Sequence, residues 1–257
     1  MSSDNRRTRV LVHGVPETTA IWQPLLSELA ALGAGNVVTL NPPGFGAPLP
    51  AGFEATLDGY RDWLIDELTT FDAPVDLVGH DFGGIHAAWV MMDRPDLIHS
   101  WANDVLGVLE PDYEWHETAR IWQTPEVGEA FNKDVFTGTD AYRAGLLRKA
   151  GIPSPTAEQV APALNADMER AVLSLYRSAA QPVMAERGRD LTKAAARPGL
   201  AIIGTADHAV GSVEQRRRAA GRAGAKEIRE MAGSDHWWML EDPKRAALML
   251  TAFWATV

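Results

Sequence analysis

Short apolar runs alternate with longer stretches of helical periodicity through the first hundred residues of the chain. The apolar runs are brief, as buried parallel strands are, and glycine, proline or polar residues bound them. Four such runs are predicted to be strands: Arg9–His13, Asn36–Leu40, Pro74–Val78 and Leu97–Ala102. Apolar positions spaced three and four residues apart predict helices over Pro24–Leu32 and Thr56–Phe71.

The alternation stops near Gly107 and resumes beyond residue 195. Residues 109–195 are helical in pattern, with proline-rich breaks and no run typical of a strand. Strands are then predicted over Gly199–Ile203 and Lys226–Glu230, with helices over Val213–Gly221 and from Pro243. This order indicates an α/β fold with a mostly parallel, doubly wound sheet of about six strands. We therefore expect a core domain of residues 1–108 and 196–257, with residues 109–195 inserted as a helical cap.

Composition narrows the functional classes. The chain has 257 residues, 46% of them hydrophobic, which allows a large core without metals or disulfides. The absence of cysteine fits a cytoplasmic location, and a formal net charge of −10 disfavours nucleic acid and anionic membranes as partners. Residues 1–9 lack a long apolar segment, so we expect no secretory signal peptide. The longest apolar stretch, Ala246–Val257, is too short to span a bilayer.

The segment Gly79–Gly84 carries the strongest chemical signal in the sequence. Gly79-x-Asp81-x-Gly83 has the spacing of the G-x-S-x-G nucleophile elbow, with Asp in place of Ser, between a predicted strand and a helical pattern. Such a turn presents one side chain at the carboxyl edge of the sheet and at a helix N-terminus, which favours an ionised carboxylate. The alternative is an ordinary turn, because Asp often caps helices and Gly-Gly is common in turns.

Further positions along the chain agree with the catalytic interpretation. The loop after the first strand carries Val15, whose N–H can join that of Phe82 in an oxyanion hole. Asp207 follows the fifth predicted strand and His236 follows the sixth, which is the nucleophile–acid–His order of hydrolases with this elbow. Because open α/β sheets bind ligands at the carboxyl ends of their strands, we expect these side chains to converge with Asp81.

On these residues the chain resembles the α/β-hydrolase superfamily, in its aspartate-nucleophile branch of epoxide hydrolases and haloalkane dehalogenases. The resemblance covers nearly the whole chain. The residues that carry it are His13-Gly14-Val15-Pro16-Glu17, Gly79-His80-Asp81-Phe82-Gly83-Gly84, Leu175-Tyr176-Arg177, Asp207 and His236. The resemblance implies the α/β-hydrolase fold, with Asp81 as nucleophile, His236 as base and Asp207 as its acid. It also implies that Tyr176 is the ring-opening proton donor for an epoxide. Asp104, which follows the preceding strand, is the alternative acid.

The chain departs from these families in three features. Only eight residues precede the first strand, too few for the leading β-hairpin of the family. Phe82 stands where these families usually carry a tryptophan, which binds the halide in dehalogenases, and no Asn beside Val15 supplies another halide ligand. The departures favour an epoxide hydrolase that forms diols over a haloalkane dehalogenase. A catalytically idle binding protein of the same fold is the alternative from another class.

Several cap and pocket residues have two interpretations. Trp122, Tyr142 and Trp237 are candidates for lining a substrate pocket, with packing as the alternative. Tyr113, Tyr142 or Trp122 is a candidate second donor beside Tyr176. We find no metal-ligand spacing and therefore expect neither a metal nor a cofactor. The expected partner is a small apolar organic substrate, and the sequence leaves open whether the chain forms a homodimer.

Overall fold

Six strands form one parallel sheet in the computed structural model of the chain, which describes residues 7–257. The strands are β1 (Arg9–Val12), β2 (Val37–Leu40), β3 (Val75–Gly79), β4 (Ile98–Asn103), β5 (Gly199–Gly204) and β6 (Glu227–Met231). Their order is β2-β1-β3-β4-β5-β6, and every neighbouring pair is parallel. The predicted fold class is confirmed, and each strand begins and ends within one residue of its predicted range.

The sheet changes its direction of growth at β1. β2 lies on one side of β1, whereas β3 to β6 continue on the other side. The last residue of β1, Val12, therefore pairs with Leu40 of β2 and with Gly79 of β3. In open α/β sheets, ligands bind in the crevice outside the carboxyl ends of the strands at such a switch point. The topology thus favours a site between the loop after Val12 and the turn after Gly79.

Twelve α-helices lie within residues 7–257. They are α1 (Gln23–Ala31), α2 (Leu57–Thr69), α3 (Asp81–Asp93), α4 (Glu117–Gln123), α5 (Val127–Thr137), α6 (Asp140–Ala150), α7 (Thr156–Val160), α8 (Ala166–Ser178), α9 (Val183–Gly188), α10 (Val213–Arg222), α11 (Trp238–Glu241) and α12 (Pro243–Trp254). Short 3₁₀ segments occupy Thr19–Trp22, Pro95–Leu97, Leu106–Leu109, Ala161–Ala163 and Leu191–Ala196. α1 packs against α12, and α2 packs against α3.

The chain between β4 and β5 contains helices α4 to α9 and no strand. Within this segment α4 and α5 pack against α8, and α6 packs against α7. Trp122 of α4 and Tyr176 of α8 share a cavity with Asp81, which is the first residue of α3. The helical segment therefore lies over the carboxyl end of β3.

Two predictions concern the N-terminal end and the membrane. The expected absence of a signal peptide and of a leading hairpin falls on a region that includes residues 1–6, which lie outside the described residues. In residues 7–257, no helix is both long enough and apolar enough to cross a membrane.

Candidate active site

The turn between β3 and α3 holds Asp81 in a strained backbone conformation. Asp81 has a φ of +49°, a region that residues other than glycine rarely adopt. Close packing of the turn requires glycine nearby, since a Cβ atom on Gly83 would lie 2.3 Å from the carbonyl oxygen of Val12. Such strain costs on the order of 1–3 kcal/mol and persists only where the surrounding structure enforces it. The structure therefore contains the strand–turn–helix elbow that the Gly79-x-Asp81-x-Gly83 spacing predicts.

The two carboxylate oxygens of Asp81 have different surroundings. Oδ1 accepts a hydrogen bond of 2.9 Å from the N–H of Val15, and Oδ2 faces Nε2 of His236 at 3.8 Å. Phe82 is the second residue of α3, where a backbone N–H has no acceptor within its own helix. Burial raises the pKa of Asp81, while the nearby His236 opposes that shift. One oxygen is thus held by a backbone donor, and the other faces the imidazole.

His236 is hydrogen-bonded to Asp207 through its second ring nitrogen. Nδ1 of His236 lies 2.9 Å from Oδ2 of Asp207, which fixes the orientation of the ring. Burial disfavours a charged imidazole, but the hydrogen bond to Asp207 together with the charges of Asp207 and Asp81 raises the pKa of His236 to about 9. Burial would raise the pKa of Asp207, but the hydrogen bond from His236 lowers it to about 2. Asp81, His236 and Asp207 thus form one continuous polar array.

The alternative acid, Asp104, has other partners. Its Oδ2 accepts hydrogen bonds of 2.6 Å from Nδ1 of His80 and 2.7 Å from Nε1 of Trp238. Its Oδ1 accepts the backbone N–H of Asp81 at 3.1 Å. Asp104 therefore supports the turn that carries Asp81, and the carboxylate that contacts His236 is Asp207.

A second buried array beside the first was missed by the sequence reasoning. The fully buried carboxylate of Glu17 accepts a hydrogen bond of 3.0 Å from the N–H of Gly14 and another from the indole of Trp237. His80 lies between Glu17 and Asp104, with Nε2 3.3 Å from Oε1 of Glu17. Its ring centroid is 4.7 Å from that of His236. The arrangement places a buried histidine between two carboxylates.

Electrostatics make this second array an ion-pair network. Burial alone would lower the pKa of His80, but the charges of Asp104 and Glu17 raise it well above the ordinary value. Burial would raise the pKa of Glu17, whereas the charge of His80 lowers it to about 2. The sequence signal for this network was Glu17 itself, four residues after His13 in the loop that follows β1.

The same residues correct the expectation that no metal-ligating cluster exists. One ligand atom each from Glu17, His80 and His236 lie within 4.8 Å of one another. Metal ligation requires a neutral imidazole, whereas the carboxylates beside His80 and His236 favour the protonated rings. A cation bound at this cluster would therefore have to displace the protons of both rings.

A cavity of about 540 Å³ lies between the Asp81–His236–Asp207 array and the helical segment that connects β4 and β5. Asp81, Asp207 and His236 line it from the core domain, and its remaining walls are mainly apolar. Tyr176 lines it from α8, is buried, and has no hydrogen-bond partner for its hydroxyl among residues 7–257. Burial raises the pKa of Tyr176 well above its ordinary value, so the hydroxyl keeps its proton. An apolar small molecule in the cavity would meet a carboxylate, an imidazole and a phenol.

Only some of the residues predicted to line a substrate pocket lie at the cavity. Trp122 and Trp237 line the cavity. Tyr142 does not: its side chain is 48% exposed, and its ring covers Gly138 at the N-terminal end of α6 instead. The prediction for Tyr142 was therefore wrong, because helical periodicity alone does not say which end of α6 meets the cavity. Tyr113 is buried, but its hydroxyl donates a 2.7 Å hydrogen bond to the carbonyl of Ala209.

Comparison with known proteins agrees with the fold. A family profile described as "Alpha/beta hydrolase family" matches residues 10–247. The (E)-2-((N-methylformamido)methylene)succinate hydrolase of Acinetobacter baylyi is 32% identical over 94 residues, a match that spans 36% of this chain and 35% of that protein. A loop variant of the haloalkane dehalogenase DbeA from Bradyrhizobium elkanii aligns over 99% of this chain and 92% of its own, with a TM-score of 0.71 and 19% identity. A meta-cleavage product hydrolase aligns over 98% of this chain and 92% of its own, with a TM-score of 0.74 and 16% identity.

Proposed function

The chain belongs to the alpha/beta hydrolase family, and we propose that it is a cofactor-independent epoxide hydrolase of the aspartate-nucleophile type. The proposed substrate is a small apolar epoxide, and the product is a diol. Asp81 is the nucleophile, His236 the base, Asp207 the residue that orients the base, and Tyr176 the proton donor. A cytoplasmic location remains part of this proposal.

The first step forms an ester on Asp81. A lone pair of Oδ2 forms a bond to an epoxide carbon, and the ring C–O bond breaks with its electron pair moving to the ring oxygen. The hydroxyl of Tyr176 gives its proton to that oxygen, which leaves a hydroxyalkyl ester and a tyrosinate. The strained turn and the N–H of Val15 support this attack, since Oδ1 accepts a hydrogen bond at 2.9 Å, Oδ2 faces His236, and Asp81 lines the cavity.

The second step hydrolyses the ester. His236 removes a proton from a water whose oxygen attacks the ester carbonyl, and the N–H groups of Val15 and Phe82 stabilise the oxyanion. The tetrahedral intermediate then collapses, and the bond between the carbonyl carbon and the alkyl oxygen breaks. The alkyl oxygen takes the proton that remains on the oxygen derived from water, and the diol leaves. The proton that His236 carries in the resting enzyme passes to the tyrosinate of Tyr176 once the ester has formed, and the proton taken from water replaces it on His236. The cycle therefore adds one water to the epoxide and restores every group.

The hydroxyl of Tyr176 is the observation that favours an epoxide over a halide. It lines the cavity with Asp81 and has no protein acceptor among residues 7–257, so it is free to bind a substrate oxygen. A halide site instead needs N–H donors, and both tryptophans that line the cavity already donate to protein acceptors. Trp122 donates to Asn132, and Trp237 donates to Glu17.

A substrate panel tests the proposal. We expect the purified protein to convert styrene oxide to its diol and to release no halide from 1-bromobutane. Asp81→Ala, which removes the proposed nucleophile, should abolish the turnover. Bromide release without diol formation would favour the haloalkane dehalogenase, and binding of both compounds without turnover would favour the idle binding protein.

A further inference from the structure

One oxygen of an opening epoxide has more lone pairs than a single phenol can satisfy, and the three residues predicted as second donors do not face it. Tyr142 is exposed, the hydroxyl of Tyr113 donates to the carbonyl of Ala209, and the indole of Trp122 donates to Asn132 at 2.7 Å. A second donor into the cavity must therefore come from another residue.

His116 is the N-cap of α4, and its ring has a fixed hydrogen-bonding role. Nδ1 of His116 accepts the N–H of Ala119 at 3.3 Å. A ring nitrogen that accepts a backbone N–H carries no proton, so a neutral His116 has its proton on Nε2. In the described part of the chain, no protein group is hydrogen-bonded to Nε2. The cap thus leaves one N–H donor of defined position.

His116 lies in the same cavity as the proposed catalytic residues. His116 lines the cavity together with Asp81 and Tyr176. Its ring is 6.3 Å from that of Tyr176, centroid to centroid, and meets it edge to face. Burial lowers the pKa of His116, which favours the neutral ring that the cap requires.

We propose that the Nε2–H of His116 is the second hydrogen-bond donor of the site, and that it binds the same substrate oxygen as the hydroxyl of Tyr176. The inference rests on the proposed function. His116 stabilises the developing alkoxide without giving up its proton, whereas Tyr176 transfers one. The substrate of the site is accordingly an epoxide whose oxygen accepts hydrogen bonds from two sides. His116 contributes to the alkylation step alone.

Three other polar residues line the same cavity: Thr118, His208 and Asp235, whose carboxylate accepts the backbone N–H of His236. The side chain of His208 is exposed. Thr118 lies in the first turn of α4, two residues after His116, and lines the same cavity. Thr118→Ala is therefore the control that separates a donor at His116 from one at its neighbour.

Two substitutions of His116 separate donation from capping. Asn is a good N-cap but too short to replace Nε2, so His116→Asn should keep the melting temperature and slow alkylation by styrene oxide by roughly 10²-fold, the usual effect of removing one such donor. Gln caps poorly but carries a long N–H donor, so His116→Gln should lower the melting temperature and retain most of the rate. Alkylation is measured as ester formed per unit time, with enzyme in excess. An unchanged rate in His116→Asn, or a loss in Thr118→Ala instead, would overturn the proposal.

The tautomer is measured without turnover, which separates this inference from the proposed function. A long-range ¹H–¹⁵N spectrum should show the proton of His116 on Nε2, and its Nε2 signal should move when phenylethanediol is titrated in. A proton on Nδ1, or an Nε2 signal that the diol leaves unchanged, contradicts the inference. If the parent protein opens no epoxide, the proposed function fails, and the spectrum still decides whether His116 donates into the cavity.

Discussion

Nε2 of His236 lies 3.8 Å from Oδ2 of Asp81, close enough for the charge of each group to shift the pKa of the other. The anionic carboxylate favours a protonated imidazole, which contributes to the pKa of about 9 for His236. Conversion of Asp81 to an ester removes that negative charge. His236 is then more easily deprotonated and becomes a base at the stage when water must be activated. The proximity of the two groups thus orders the two steps of the proposed reaction.

Neutralising Asp81 should lower the pKa of His236. In Asp81→Asn we expect a decrease of roughly one to three pH units, the effect of losing an opposite charge at this distance. An NMR titration of the His236 ring in parent and variant gives the two values, and mass spectrometry verifies that the amide persists. Equal values in the two proteins would mean that the 3.8 Å approach does not couple the charges.

Removing the acid that contacts His236 should stop the reaction halfway. Asp207→Asn deletes the charge that orients and stabilises the imidazolium, while Asp81 and Tyr176 remain able to open the epoxide. We expect the ester on Asp81 to accumulate, visible as added protein mass after mixing with styrene oxide. Asp104→Asn is the matched variant: it should destabilise the elbow without trapping the ester. The reverse pattern would identify Asp104 as the acid.

Loss of the phenol proton should slow ring opening. Tyr176→Phe keeps the aromatic packing but removes the donor, and we expect alkylation to fall on the order of 10²-fold or more. Tyr113→Phe serves as the control, because its hydroxyl donates to the carbonyl of Ala209. A Tyr176→Phe variant that alkylates as fast as the parent would remove the residue from the mechanism.

Glu17→Gln should destabilise the folded protein through His80. His80 keeps Asp104 at 2.6 Å and loses only the charged partner at its other nitrogen. We therefore expect a loss of about 1.5–3 kcal/mol, the worth of a hydrogen bond to a charged group, measured by urea unfolding at neutral pH. The pKa of Glu17 in the folded protein, about 2, lies below its ordinary value of 4.5. Its stabilisation is therefore present above pH 4.5 and is lost as the pH falls toward 2. The difference in the free energy of unfolding between parent and variant should decrease over that range. A constant difference would mean that the charge of Glu17 does not stabilise the folded protein.

The sequence predicted the sheet and the elbow because both depend on local patterns. Apolar runs give the strands, and the spacing of Gly79, Asp81 and Gly83 gives the turn. It also brought Asp207 and His236 to neighbouring strand ends, since parallel strands place their carboxyl ends at one edge.

What the sequence did not reveal depends on contacts between distant segments. The pairing of Glu17 with His80 joins two loops 63 residues apart in the numbering of the chain. The exposure of Tyr142 depends on how α6 lies against the rest of the cap. The choice between Asp104 and Asp207 required the side-chain directions at three strand ends, because both carboxylates follow strands in the same way.

The origin of the product oxygen tests the central claim, that Asp81 attacks the substrate directly. Enzyme in excess over styrene oxide, mixed in ¹⁸O-labelled water, should give unlabelled diol in the first turnover. The label should then be found in the carboxylate of Asp81, because hydrolysis of the ester replaces the oxygen that was donated. Label in the first-turnover diol, with none in Asp81, would contradict direct attack and make Asp81 a base for water.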